Sequence, residues 1–233
     1  MRIAFHHIII LVTAAAFMSC KKDNYDPPKT MLSGKLVYQG ETIQVEYDRV
    51  PFQLYQYGFG KVGAIGGTFA PDGSYSMLLF DGDYKFVIPN DQGPFVWKKM
   101  PSGDPDSLSI NLTGNQELDI EVTPYYMLRN TQLTAGAGKV SGSFAAEQII
   151  KGADAKDIER VSLYINKTQF VSGANNIAFT DIAGSSITDI GSIAIEGTIP
   201  DIVPAQNYVF ARIGLKIAGV EDMIFSPVQK LSF

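Results

Sequence analysis

Histidine is missing from almost the whole chain: its only two, His6 and His7, fall ahead of residue 20. Everything downstream therefore lacks the side chain most used as a general base, as the relay of a Ser-His-Asp triad and as a metal ligand. Cysteine is as scarce, with a single thiol at Cys20, so no disulfide framework and no thiolate cage can brace the fold. Nor is there a long block of one charge. The formal net charge of −5 is spread along the sequence, which argues against a nucleic-acid partner and against an electrostatic membrane patch. Long runs of helical periodicity are absent, and the one tryptophan is Trp97. Stability must come from ordinary apolar cores, and no cofactor or metal is expected.

Paired carboxylates could still hydrolyse a glycoside, and Asp81 with Asp83 or Asp104 with Asp106 are the nearest pairs in sequence. Both pairs sit among Gly or Pro, where aspartate is favoured because it bonds nearby backbone. They read as turn formers, and as Ca²⁺ ligands they lack the EF-hand spacing. Gly58-Phe59-Gly60 and the glycines from 63 to 67 have neither the lysine nor the following helix of a phosphate loop. The chain is not expected to be an enzyme.

What is present begins at the N-terminus. Arg2 is followed by an apolar run from Ile8 to Phe17 and then by Met18, Ser19 and Cys20. A span of the roughly 30 Å hydrocarbon layer takes about 20 apolar residues, so the run suits a secretory signal better than a membrane helix. Phe17-Met18-Ser19-Cys20 resembles the lipobox of bacterial lipoproteins. The resemblance implies that residues 1–19 are removed, that Cys20 is acylated, and that residues 20–30 form a lipid-anchored tether. Lys21 to Lys29 is polar and aperiodic, and Pro27 and Pro28 disfavour helix there. The acidic residues just past Cys20 are similar to export signals of some Bacteroidota lipoproteins, which implies an outer-membrane, cell-surface location.

With 22 Gly and 12 Pro among alternating apolar residues, the remainder reads as all-β: two tandem β-sandwich domains, residues 31–123 and 124–233. In the first, strands are expected around Leu32 to Tyr38 and Pro51 to Tyr57. Further strands are expected on both sides of the turn Pro71-Asp72-Gly73, through Tyr84, Phe86 and Ile88, at Leu108 to Leu112, and at Glu117 to Val122. The segment from Asn90 to Asp106 is a loop long enough to imply binding or mobility. Thr123-Pro124-Tyr125-Tyr126 marks the domain change. In the second domain strands are expected at Lys139 to Phe144, Ile158 to Ile165, Asn176 to Asp181, Ser192 to Ile195, Tyr208 to Lys216 and Pro227 to Phe233, with one helical turn between Gln148 and Asp157. If Tyr208 and Phe210 face inward, Arg212 does too; an unpaired buried guanidinium is costly, so a bulge or strand end is expected near Arg212.

Leu32-Ser33-Gly34-Lys35-Leu36, Asp72-Gly73-Ser74-Tyr75 and Gly82-Asp83-Tyr84-Lys85-Phe86 together resemble the carboxypeptidase regulatory-like domain, a transthyretin-type sandwich without catalytic residues. Ile202-Val203-Pro204-Ala205-Gln206-Asn207-Tyr208 is similar to the tyrosine corner of fibronectin type III domains, in which the hydroxyl bonds back to the upstream backbone. Two further features are Tyr55-Gln56-Tyr57-Gly58 and Gly93-Pro94-Phe95-Val96-Trp97. Taken in order with the lipobox, Asp23-Asn24-Tyr25 and Pro124-Tyr125-Tyr126, the parts resemble a Bacteroidota family of surface lipoproteins of unknown function associated with SusC/SusD-type importers. That resemblance implies an accessory of a TonB-dependent nutrient importer, with SusC/SusD-type subunits as partners, a glycan or peptide as ligand, and the membrane contacted through the lipid. The candidate ligand- or partner-binding residues are Tyr55, Tyr57, Phe59, Phe95, Trp97, Tyr125 and Tyr126, aromatics that cluster in turns and at the domain edge. Packing into the cores or between the lobes, binding a ligand, and docking on importer subunits all remain open for them, with Trp97 the expected exception to packing.

Overall fold

The computed structural model describes residues 26–58 and 62–233; the signal segment, Cys20 and Phe59 lie outside the described residues. Almost all of the regular structure is β-strand, with two single 3₁₀ turns at Gly152–Asp154 and Gly184–Ser186. No helix among the described residues is long and apolar enough to cross a membrane.

In the first lobe, Thr30–Tyr38 pairs antiparallel with Ser74–Leu79 and parallel with the short strands Gln116–Glu117 and Ile120–Glu121. Against this sheet lies a second one in the antiparallel order Ala64–Thr68, Pro51–Gln56, Gly82–Val87, Leu108–Leu112. Alternation decides which faces meet: Phe52 and Leu54 point inward, while Gln53 between them and Tyr55 after them point out. The inward faces bring Phe52 within 5.1 Å of Phe69, 5.4 Å of Tyr75 and 4.9 Å of Phe86, ring centre to ring centre. The turn at Pro71-Asp72-Gly73 forms as its residues require, with Gly73 at φ +79 and Asp72 Oδ1 accepting from Ser74 N and Oγ.

The run from Glu117 to Val122 alternates as expected but is broken in two. Leu118 turns its carbonyl toward Gly34, where a Cβ would stand 2.0 Å from that oxygen, and Tyr75 Oη donates to it at 2.6 Å. Only a glycine leaves this room.

The segment from Asn90 to Asp106 folds back on itself. Phe95–Val96 pairs with Thr123–Pro124, Lys99 bridges to Pro105, and Trp97 Nε1 donates to Asp106 O at 2.8 Å.

The second lobe stacks Tyr126–Gly136, Lys139–Gln148 and Ile193–Thr198 on a sheet ordered Ala178–Ala183, Ile158–Asn166, Tyr208–Ile217, Met223–Phe225, with Gln229–Ser232 also on Tyr208–Ile217. Tyr126–Gly136 escapes the alternation rule because its register shifts between Arg129 and Gln132, with Asn130 at φ +53.

Arg212 departs from expectation. The strand Tyr208–Ile217 runs through it without a bulge at that position. Val209, Ala211, Ile213, Leu215 and Ile217 face the core of their own lobe, which turns Tyr208, Phe210 and Arg212 to the opposite face. There Arg212 is covered by the first lobe, to which Nη2 donates at Val45 O, 3.4 Å. Tyr208 makes no upstream hydroxyl bond among the described residues; Lys230 Nζ stands 4.0 Å from its ring centre.

The lobes share one continuous apolar core. Polar ties reinforce it: Phe225 N donates to Gln44 O at 3.0 Å, Gly93 N to Asp222 Oδ2 at 2.7 Å, and Arg129 joins Glu41 of one lobe to Glu147 of the other. Burial holds the Asp222 carboxyl above the usual carboxylate range, against the pull of the bond from Gly93.

Candidate functional site

The aromatics singled out in the sequence separate into two groups. Tyr55 lies on the outer face of its strand, its hydroxyl donating to Gln53 Oε1 at 2.8 Å, and Tyr57 stands beyond the strand end, exposed. Phe95, Trp97 and Tyr125 come together on a cleft of about 230 Å³ at one side of the lobe junction. Their ring surfaces are largely spent on packing. Phe95 and Trp97 are buried in the core, Trp97 lies 6.2 Å from Phe86, and the cation of Lys156 sits 5.3 Å from the centre of Tyr125. Burial, then Asp154 and Asp91, push the Tyr125 phenol upward. Tyr126 is buried, its hydroxyl donating to Lys156 O at 2.8 Å. Trp97, expected to stand out from its loop, packs inward because Phe86 and the Asp106 carbonyl give its two ends an apolar and a polar partner. Its emission is expected to be blue-shifted and weakly quenched by iodide in the native protein; free quenching would contradict this packing.

The second hollow, on another part of the junction, has rings with free faces. Tyr47 and Phe170 are 65% and 63% exposed and line a groove of about 410 Å³. The groove continues past Pro71, Gln169 and Phe170 into a wider hollow of about 590 Å³. Each ring is presented by a pinned turn. Val45 and Val50 are fully buried on either side of Glu46-Tyr47-Asp48-Arg49, and Asp48 adopts φ +56, so Tyr47 is turned outward. Phe170 belongs to the loop joining Ile158–Asn166 to Ala178–Ala183. Asn166 Nδ2 donates to Phe170 O at 2.5 Å and to Asn175 O at 3.3 Å, and Ser172 Oγ accepts from Ala174 N and Asn175 N, both at 3.2 Å. Val171 beside it is buried and anchors the loop.

The groove also reaches Arg212. This side chain is 1% exposed, Nε donates to Ser226 O at 3.2 Å, and Cζ lies 4.0 Å from the centre of Phe225. Burial pushes the guanidinium down to about 9, partly opposed by the field of Glu46. It stays cationic at neutral pH.

Reaction chemistry has no comparable setting among the described residues. No group of His, Cys, Asp or Glu there could hold a metal ion. Asp81 and Asp83 accept from Thr30 Oγ1 and Asn111 Nδ2, while Asp104 and Asp106 accept from Ser102 Oγ and Ser107 N. Exposed aromatic faces beside polar groups are instead suited to hold a saccharide or peptide. Reading the sequence missed Tyr47 and Phe170. The signal available was a lone aromatic inside a wholly polar turn, as in Lys167-Thr168-Gln169-Phe170, where no alternation accounts for it.

Two family models match consecutive parts of the chain. The N-terminal domain of DUF3823, a protein family of unknown function, matches residues 30–123, and the C-terminal domain of unknown function DUF3823_C matches residues 126–230. A DUF3823 family protein from Parabacteroides merdae is 32% identical, with a TM-score of 0.77 over 89% of this chain and 100% of its own. One from Bacteroides ovatus is 28% identical, with a TM-score of 0.75 over 88% and 99%. A Bacteroides uniformis protein provisionally described as carbohydrate binding is 14% identical and shares the fold, with a TM-score of 0.69 over 88% and 100%. No curated protein matches the chain.

Proposed function

The chain belongs to the DUF3823 family, and on that basis we propose that it is a surface lipoprotein that holds a glycan in the groove between its lobes as an accessory of a SusC/SusD-type importer. The observation that carries the binding role is the pair of exposed rings, Tyr47 and Phe170, fixed on pinned turns from opposite lobes over one groove. Sugars present flat C–H faces that such rings cover, and turns that are already ordered lose little freedom on binding. The carbohydrate description of the Bacteroides uniformis protein agrees with this reading. No reaction is assigned, and the lipid on Cys20 supplies the membrane contact.

A glycan array probed with the purified protein tests the binding role. Phe170→Ala and Tyr47→Ala are each expected to weaken the best-bound glycan about tenfold or more, the weight of one well-placed ring. Unchanged binding in both variants would remove the groove from the account. Capture of the lipoprotein from solubilised outer membranes tests the importer role, with SusC/SusD-type subunits expected in the captured material. A protein that recovers them but binds neither glycan nor peptide would be a structural subunit; an edge strand, Ala178–Ala183, that leaves Phe179 60% exposed favours that second reading.

A further inference from the structure

Arg212 makes the groove more than an aromatic platform. A guanidinium has five N–H donors, and the two bonds found here go to neutral carbonyls, Ser226 O at 3.2 Å and Val45 O at 3.4 Å. No carboxylate lies within 4.0 Å of it among the described residues. Glu46 acts on it only from further away, its Oε1 accepting from Ala174 N at 3.3 Å. The cation is nonetheless almost wholly desolvated. One face is closed by Phe225, and the side chain lines the same groove as Tyr47 and Phe170. Desolvating a guanidinium without an anion costs more than two long carbonyl bonds return. Its remaining donors form the flat fork that matches a carboxylate in two parallel bonds.

Building on the glycan-binding reading above, we infer that the groove selects acidic glycans: the carboxylate of a uronate residue reaches Arg212 at the floor while the pyranose ring lies against Phe170 or Tyr47. The aromatic faces select a sugar ring and the fork selects its charge. The aromatic faces alone would not tell a uronate from a neutral hexose, nor the fork alone a uronate from a peptide carboxylate.

Calorimetry on the unmodified protein tests this with oligogalacturonate, oligoglucuronate and alginate fragments, each beside its carboxyl-reduced counterpart, and with an acidic peptide. At least one uronate oligomer should bind about tenfold or more tighter than its reduced form, the weight of hydrogen bonds to a charged group. Equal binding of acid and reduced forms would overturn the inference and leave the glycan reading standing. Binding of no saccharide at all would overturn both, and tighter binding of the peptide would overturn the assignment to sugars. Arg212→Lys keeps the charge but not the fork, and is expected to lose most of the preference for the acid over its reduced form. Retention of the full preference in a folded Arg212→Lys protein would also overturn the inference, and the wild-type comparison decides it if that variant does not fold.

Discussion

Cys20→Ser is expected to abolish incorporation of a palmitate label and to release the protein from membranes into the soluble fraction. The effect should be all-or-none because the chain has one cysteine, so no second thiol can take the lipid. The segment ahead of it has the charge and apolar length of a secretory signal. A single acyl chain holds a protein only marginally, whereas several hold it in practice permanently; loss of the proposed acylation site should therefore remove the anchor outright. Fractionation of cells expressing each form, with metabolic labelling, reads both consequences. Labelled or membrane-bound Cys20→Ser protein would show that anchoring lies elsewhere.

The second large effect is on folding. Phe52→Ala should lower the unfolding free energy by about 3–5 kcal/mol, a large part of the roughly 5–15 kcal/mol that a domain has in total. Phe52 is 1% exposed and touches Phe69, Tyr75 and Phe86. Its ring also rests on Gly67, where a Cβ would come within 2.4 Å of it. Rings on both sheets of the first lobe therefore lose a partner at once, and rigid strands cannot close the space. Leu78→Ala provides the contrast, since Leu78 lies in the same lobe but is 54% exposed, and should shift stability by no more than about 0.5 kcal/mol. Urea titration of both variants measures the difference, and a Phe52→Ala loss below about 1 kcal/mol would contradict the aromatic core.

The Phe52 case shows where the sequence was legible. Strands with one dry face announce themselves: Phe52 and Leu54 alternate with Gln53 and Tyr55, and the structure keeps that phase. The turn at Pro71-Asp72-Gly73 was equally plain, because each residue has one conformational use there. What failed was any inference needing the second lobe as context. Arg212 reads as a misplaced charge within a strand of one sandwich, and only the first lobe packed on the outer face explains its burial. The same holds for Val161 to Ile165, where the apolar face of Val161, Leu163 and Ile165 is joined by a buried Ser162 and Tyr164 on the other side. Tyr126–Gly136 was hidden by its own bulge.

The candidate site was harder to read for a related reason. Phe95, Trp97 and Tyr126 lie in segments with turn composition, yet contacts distant in sequence draw them inward. Tyr47 and Phe170 stay at the surface. Composition could not say which aromatics would keep a free face.

Hydrogen exchange followed residue by residue, with and without the best-bound oligosaccharide, tests the groove most directly. Slowed exchange is expected in residues 44–49 and 166–175, the two turns that carry Tyr47 and Phe170. Slowing confined to residues 89–99 and 154–156, around Trp97 and Lys156, would place the ligand in the other cleft and contradict the account.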